Sequence, residues 1–260
     1  LIKGWYTAAS GMMMQASRQD VIANNIANAS TSGYKKQMSV SCAFPDMLIS
    51  RLENNSRTFA PSSSRVTPIG RLGTGVCLED IVTDFGVGTL SKTDLSTDLS
   101  LTQTGQYFAV EVGAGERYTR NGAFKIDSDG WLVDTQGNPV LNDDNGYIKI
   151  NSEFSMESTG TINFNDGSAP VKLKVVEFDN PEQLERIGDS LYSNDSGMAI
   201  IIEARSIEVL QGYLEGSNVN AVREMVDLIT AVRSYESLQK VVQAEDETAG
   251  IAIDKVGSTS

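Results

Sequence analysis

Glu224-Met-Val-Asp-Leu-Ile-Thr-Ala-Val-Arg-Ser-Tyr-Glu236 opens the longest helical pattern in this 260-residue chain. Met225, Leu228, Val232, Tyr235, Val242, Ala249, Ile253 and Val256 follow alternating steps of three and four, with Gln239 and Asp246 as polar breaks in the row. Such steps keep one apolar stripe turned toward a partner helix. The pattern predicts a helix over 219–256, capped by Ser217 or Asn218 after Gly216.

The opposite end carries the natural partner. Over 4–28, Trp5, Ala8, Met12, Ile22 and Ile26 fall on one seven-residue spacing, and Ala9, Met13, Ala16, Ala23 and Ala27 on the adjacent row. Gly11 and the alanines leave a thin face that a second helix can approach closely. Ser30-Thr-Ser-Gly33 ends the helix, with Gly33 suited to a left-handed turn. Charge reinforces the pairing. Residues 1–42 hold Lys3, Arg18, Lys35 and Lys36 against Asp20, a net of +3, whereas residues 211–260 carry a net of −4. Salt screens this attraction between exposed groups.

Between the helices the period changes. Residues 34–75 read as a linking region: an apolar stretch, Phe44-Pro-Asp-Met-Leu-Ile49, then a polar run with Asn54 to Arg65 as a loop. Residues 76–216 are β-rich. Tyr107-Phe-Ala-Val-Glu-Val112 and Val171-Lys-Leu-Lys-Val-Val-Glu-Phe178 alternate in part, and shorter strands are separated by Gly, Asp and Asn turns. The expected class is α+β: terminal helices (1–33 and 217–260) pairing as a coiled coil, with an irregular antiparallel β domain inserted between them.

Composition narrows the function. A net charge of −13 argues against nucleic acid, which needs clustered Lys and Arg. The absence of histidine removes the commonest general base and metal ligand. Cys42 and Cys77 could pair with each other, but two cysteines are no disulfide framework, and two free thiols are the expected state. No apolar run approaches the ~20 residues of a membrane span, and the first ten residues do not resemble a secretory signal. Gly70-Arg-Leu-Gly-Thr-Gly75 reads as a turn before a strand. Asp127-Ser-Asp-Gly130 and Asn142-Asp-Asp-Asn-Gly146 read as hairpin turns rather than calcium loops. No catalytic residue, metal ligand or cofactor is expected.

Val21-Ile-Ala-Asn-Asn-Ile-Ala-Asn28, followed by Ser30-Thr-Ser-Gly-Tyr-Lys-Lys36, resembles the N-terminal signature of bacterial flagellar rod and hook proteins. Leu210-Gln-Gly-Tyr-Leu-Glu-Gly-Ser-Asn-Val-Asn220, Glu224 to Ile229 and Arg233-Ser-Tyr-Glu236 match the other end of that family. Tyr118-Thr-Arg-Asn-Gly-Ala-Phe124 with Gly130-Trp-Leu-Val133 resembles its β domain. The resemblance implies a basal-body rod subunit that is exported by the flagellar type III apparatus without a cleaved signal. It would lie in the periplasm, form a helical homopolymer and meet other rod and hook proteins. On this reading the assembly interface comprises Met12, Ile22, Asn24, Asn25, Ile26 and Asn28 with Met225, Ile229, Val232, Tyr235 and Val242. Phe44 and Leu48 resemble the element presented to the export gate. The terminal helices are expected to be poorly ordered until neighbours arrive. A hook or hook-associated subunit, or a surface binding module on the β domain, is the alternative. Three departures from the family pattern stand out: Glu245 replaces an apolar residue, Thr248-Ala249 stand where larger apolar residues are usual, and Ser100-Leu-Thr-Gln-Thr-Gly105 replaces a more apolar strand.

Overall fold

Tyr107-Phe-Ala-Val110 is buried on both faces. In a strand, successive side chains point to opposite sides. Tyr107 and Ala109 thus join one apolar cluster, with Tyr118, Leu141, Val176, Phe178, Leu184 and Tyr192. Phe108 and Val110 join another, with Leu99, Leu101, Phe124, Leu132, Ile148, Ile162 and Leu173. A strand with two dry faces loses the clean alternation of a half-exposed one, which is why its pattern is only partial. In the first cluster Tyr107 packs its ring 5.7 Å from those of both Phe178 and Tyr192.

The computed structural model describes residues 2–53, 65–113, 115–151, 153–188, 190–195, 197–202 and 207–257. The expected Asn54–Arg65 loop therefore lies, over 54–64, outside the described residues. The chain divides into two units: Leu1–Ala23, Met38–Ile81 and Met225–Ser260 form the first, and Asn24–Gln37 with Val82–Glu224 the second.

The first unit contains most of α1 (Ile2–Ala27) and strands β1 (Gln37–Ala43), β2 (Met47–Glu53), β3 (Arg65–Leu72) and β4 (Val76–Thr83). It also contains most of α2 (Ala221–Gly257). The stretch expected to be a linking region thus carries strands. β2 pairs antiparallel with β3, and β1 lies beside β4. Pro68 and the polar run disguise β3, because proline cannot donate to a ladder. Here Pro68 faces Ser50 where the register shifts, in a sheet of two strands that are both edges.

The two helices touch at small residues. A β-carbon on Gly11 would sit 3.0 Å from a methyl of Leu238, and one on Gly4 only 2.6 Å from Glu245 Oε1. Glu245, the departure from the family pattern, is thus accommodated by the missing side chain of Gly4. Along α2, Leu228, Tyr235, Val242 and Ala249 of the expected row are half-buried, while Ala231, Leu238 and Glu245 take the alternate inward positions. Leu238 and Glu245, one residue earlier, replace the polar breaks Gln239 and Asp246. Met225, Ile229 and Val232 remain 51%, 54% and 37% exposed.

The second unit contains β5 (Leu90–Lys92), β6 (Leu99–Leu101), β7 (Gln106–Val112), β8 (Gly115–Thr119), β9 (Lys125–Ile126) and β10 (Leu132–Val133). It continues with β11 (Phe154–Met156), β12 (Thr161–Phe164), β13 (Val171–Lys172), β14 (Val175–Phe178), β15 (Glu185–Gly188) and β16 (Leu191–Ser193), then β17 (Ile201–Ile202), β18 (Val209–Gln211) and β19 (Tyr213–Glu215). Its main sheet is antiparallel, in the order β15-β16-β8-β7-β14-β17. β18 pairs with β6 and β19 with β5, so the segment leading into α2 is sewn to the strands that begin this unit. The Ser100 segment keeps a short strand, with Leu99 and Leu101 both in the core. Asp127–Gly130 and Asn142–Gly146 are turns: Gly130 N–H donates to Asp127 O (2.9 Å) and Gly146 N–H to Asn142 Oδ1 (2.6 Å).

Burial raises the pKa of Tyr107 steeply, and pushes Tyr118 and Tyr192 up to about 12 each. A raised folded-state pKa adds stability that is complete below the ordinary tyrosine value of 10.0 and lost as pH rises through the folded value. Alkaline titration followed by tyrosinate absorbance should therefore leave Tyr107, Tyr118 and Tyr192 largely protonated at pH 11. Full ionisation of all eight by pH 11 with the fold intact would contradict this packing.

Candidate functional site

Polar residues just after α1 and just before α2 converge in the second unit. α1 ends at Ala27, and Gly33 turns the chain with φ +68°. Gly33 is required twice over, since a β-carbon there would lie 2.4 Å from the backbone nitrogen of Asn121. Its N–H donates to Glu215 O at 2.8 Å. The turn then delivers Tyr34, Lys35 and Lys36 inward.

Glu215 is the hub, and the end of β19 holds it at 1% exposure. Its Oε1 accepts from Lys35 Nζ (2.6 Å) and from Gly88 N–H (2.8 Å), and its Oε2 from Arg120 Nε (2.5 Å). Lys35 donates a second bond to Gly86 O at 2.7 Å. Arg120 also donates from Nη1 to Gln106 O (2.5 Å) and from Nη2 to Leu101 O (2.9 Å). Every charge is thus met by an opposite charge or a carbonyl, which is what makes such burial tolerable. Burial holds the Lys35 ammonium below its ordinary pKa, with the Glu215 charge opposing that shift.

A second knot lies beside it. Asn25, at 1% exposure, acts as a splint. Its amide nitrogen donates to Gln37 O (2.8 Å) and Glu224 Oε2 (3.1 Å), and its oxygen accepts from Gln37 N–H (3.0 Å). Lys36 Nζ lies 2.5 Å from Glu224 Oε1. The Tyr34 hydroxyl is 3.2 Å from both Asn24 Oδ1 and Asn25 Oδ1, and the Arg186 guanidinium covers its ring at 4.4 Å. Asn218 does not cap α2. Its Oδ1 accepts from Lys36 N–H (2.7 Å), while its amide donates to Asp84 O (2.9 Å). Asn220 caps the helix instead, accepting from Arg223 N–H at 3.1 Å.

The residues expected at an assembly interface therefore occupy different settings. Asn25 is committed to its own chain. Asn24 is exposed and Asn28 half-buried, both lining a polar cleft of about 490 Å³ with Asn121, Gln136 and Arg186. Ile22 is buried, whereas Met12, Ile26, Tyr235 and Val242 are half-buried. Met225, Ile229 and Val232 face solvent, as do Phe44 and Leu48. Sequence reading missed Lys35, Arg120, Glu215 and Glu224 as a group. The available signals were the opposite charge of the two ends and the isolated polar patches Tyr118-Thr-Arg120 and Asn218-Val-Asn220.

Replacing Glu215 by Gln strips the counter-charge from two buried cations. It should cost about 3–5 kcal/mol in urea unfolding, whereas exposed Glu236→Gln should stay within about 0.5 kcal/mol. Gly33→Ala should cost at least about 2 kcal/mol, from the left-handed backbone and the collision with Asn121 together. Equal stability of Glu215→Gln and Glu236→Gln would remove the hub from the account.

Comparison with known proteins fits this arrangement. The family "Flagella basal body rod protein" matches residues 6–35, "Flagellar hook protein FlgE/F/G D1 domain" residues 103–168, and "Flagellar basal body rod FlgEFG protein C-terminal" residues 210–254. The hub draws on all three regions through Lys35, Arg120 and Glu215, although Arg120 is the only one of them inside the middle match. The flagellar hook-basal body complex protein FlhO of Bacillus subtilis is 32% identical, over 99% of both chains. The flagellar basal-body rod protein FlgG of Borreliella burgdorferi is 34% identical, over 97% of this chain and 98% of its own. FlgF of Caulobacter vibrioides, also a flagellar basal-body rod protein, is 31% identical over 97% of each. With relatives 31–34% identical over nearly its whole length, this chain belongs to the flagellar basal-body rod protein family.

Proposed function

We propose that the chain is a non-catalytic structural subunit of the flagellar rod, adding to a helical homopolymer through its terminal helices. The observation that carries this reading is apolar surface left on both helices. Tyr6 and Met13 on α1 are 70% and 73% exposed, and Met225, Val226 and Ile229 form a row on α2 at 51–58%. A chain acting alone gains nothing from such rows, whereas a copy that covers them removes them from water. Beside them the first unit holds a largely apolar groove of about 560 Å³, lined by Tyr6, Ala8, Met47, Leu72, Leu238 and Val241. In a helical array one surface is a row and another a receptor, and the contact repeats without closing.

The finer features follow as parts of the same reading. α1 and α2 pair as a coiled coil in the assembled wall, and the half-buried positions of α2 provide the seam. Subunits cross to the periplasm through the flagellar type III apparatus, with exposed Phe44 and Leu48 presented to its gate. In the basal body they adjoin other rod and hook proteins. Asn25 serves within the subunit, and the contacts between copies fall to Met225, Ile229 and Val232.

Met225→Glu with Ile229→Glu tests the division of labour. Both positions are exposed, so the purified monomer should unfold within about 0.5 kcal/mol of the parent. A strain relying on the variant should lose motility and yield basal bodies lacking the chain. Normal motility with the variant incorporated would overturn the proposed interface.

A further inference from the structure

The two cysteines lie far apart in sequence but side by side in the first unit. Cys42 is near the end of β1 and Cys77 is the second residue of β4, with Sγ atoms 2.8 Å apart and both residues half-buried. They mark the base of the β2–β3 hairpin. Directly beyond Cys42, Phe44 N–H donates to Gly75 O at 3.0 Å, and Val76 N–H donates to Ser10 Oγ of α1 at 3.3 Å. Both sulfurs are thiols in this structure.

We propose that Cys42 and Cys77 are a dithiol site that oxidises to an intrachain disulfide, locking the base of the β2–β3 hairpin once the chain has left a reducing compartment. An S–S bond is about 2.05 Å long, so the sulfurs need close by less than 1 Å. The co-reactant is a small disulfide such as oxidised glutathione. One cysteine thiolate attacks it, forming a mixed disulfide and releasing one thiolate. The second cysteine thiolate then attacks the protein sulfur and expels the other. Two S–H bonds are lost and one S–S bond forms. The two electrons and two protons end on two molecules of the small thiol. The ring so closed spans residues 42–77 and restricts the unfolded chain, the main way a cross-link stabilises. It includes Phe44 and Leu48. The reduced state leaves that segment free to be drawn out during export, and oxidation fixes it afterwards. This last step rests on the proposed rod function.

Two measurements test the pair. In the first, the purified full-length chain is incubated with oxidised glutathione and then denatured. The expected outcome is no titratable thiol, an intact mass lower by about 2 Da and no covalent dimer. Cys42→Ser should instead keep one thiol or carry one glutathione. Two persisting thiols, glutathione on both cysteines or disulfide-linked dimers would each overturn the proposal. In the second, thiols are alkylated in whole-cell cytoplasmic extracts and in isolated basal bodies. The pair should be alkylated in the former and unreactive until reduced in the latter. Alkylation of the chain within basal bodies would refute the lock but leave the rod reading intact. Absence of the chain from basal bodies would refute the rod reading, and the lock would then be judged by the glutathione experiment.

Discussion

One buried carboxylate fixes the second unit. Glu215 holds Lys35 from the segment after α1 and Arg120 from the segment after β8, all three side chains buried, and also accepts from the Gly88 backbone. Each of the three charges alone would be costly to bury, so Glu215, Lys35 and Arg120 are stable there only together. The constraint propagates outward. Lys35 can reach Glu215 because Gly33 turns left-handed against Asn121. Lys36 can then reach Glu224 and Asn218, and Asn25 bridges Gln37 to Glu224. The residues that make the family recognisable at both ends are therefore joined inside one subunit, before any neighbour is considered.

Much of the fold was legible because it follows local rules. Both helices announce themselves by period, the Asp127 and Asn142 turns by composition, and Gly33 by its place after a helix. β1, β2 and β3 were illegible because they lie in two-stranded sheets where side chains from Met47 to Ile49 are exposed and Pro68 interrupts the ladder. The polar hub was illegible for another reason. Lys35 and Glu215 are 180 residues apart, and nothing in either neighbourhood marks a charge that will be buried. Charge complementarity between the ends was read as long-range attraction. It is realised as two contact pairs with defined geometry, which salt screens far less.

The inward face of α2 shows how a heptad row can mislead by one residue. A single apolar stripe drawn through Met225 and Val232 meets polar breaks at Gln239 and Asp246. Shifting alternate positions to Ala231, Leu238 and Glu245 puts an apolar residue in place of the Gln239 break and leaves Glu245 as the one polar member, because Gly11 and Gly4 leave space for Leu238 and Glu245 on α1. The helix then carries two apolar surfaces, one closed against its own chain and one of Met225, Val226 and Ile229 left open. That division separates residues packed within the chain from apolar residues left exposed.

In the free subunit a dry ionic hub binds the segment after α1, residues 24–37, to the β strands of the second unit. Native-state hydrogen exchange of the monomer tests it most directly, through the N–H groups of Gly33, Gln37 and Gly88, each bonded into the hub or the adjoining Asn25 knot. These three N–H groups should exchange as slowly as those of Phe108 and Val110 in the core of β7, opening only with the whole unit. Exchange at the rate of an unstructured chain, with β7 still protected, would show that the hub forms only on assembly and would contradict the account.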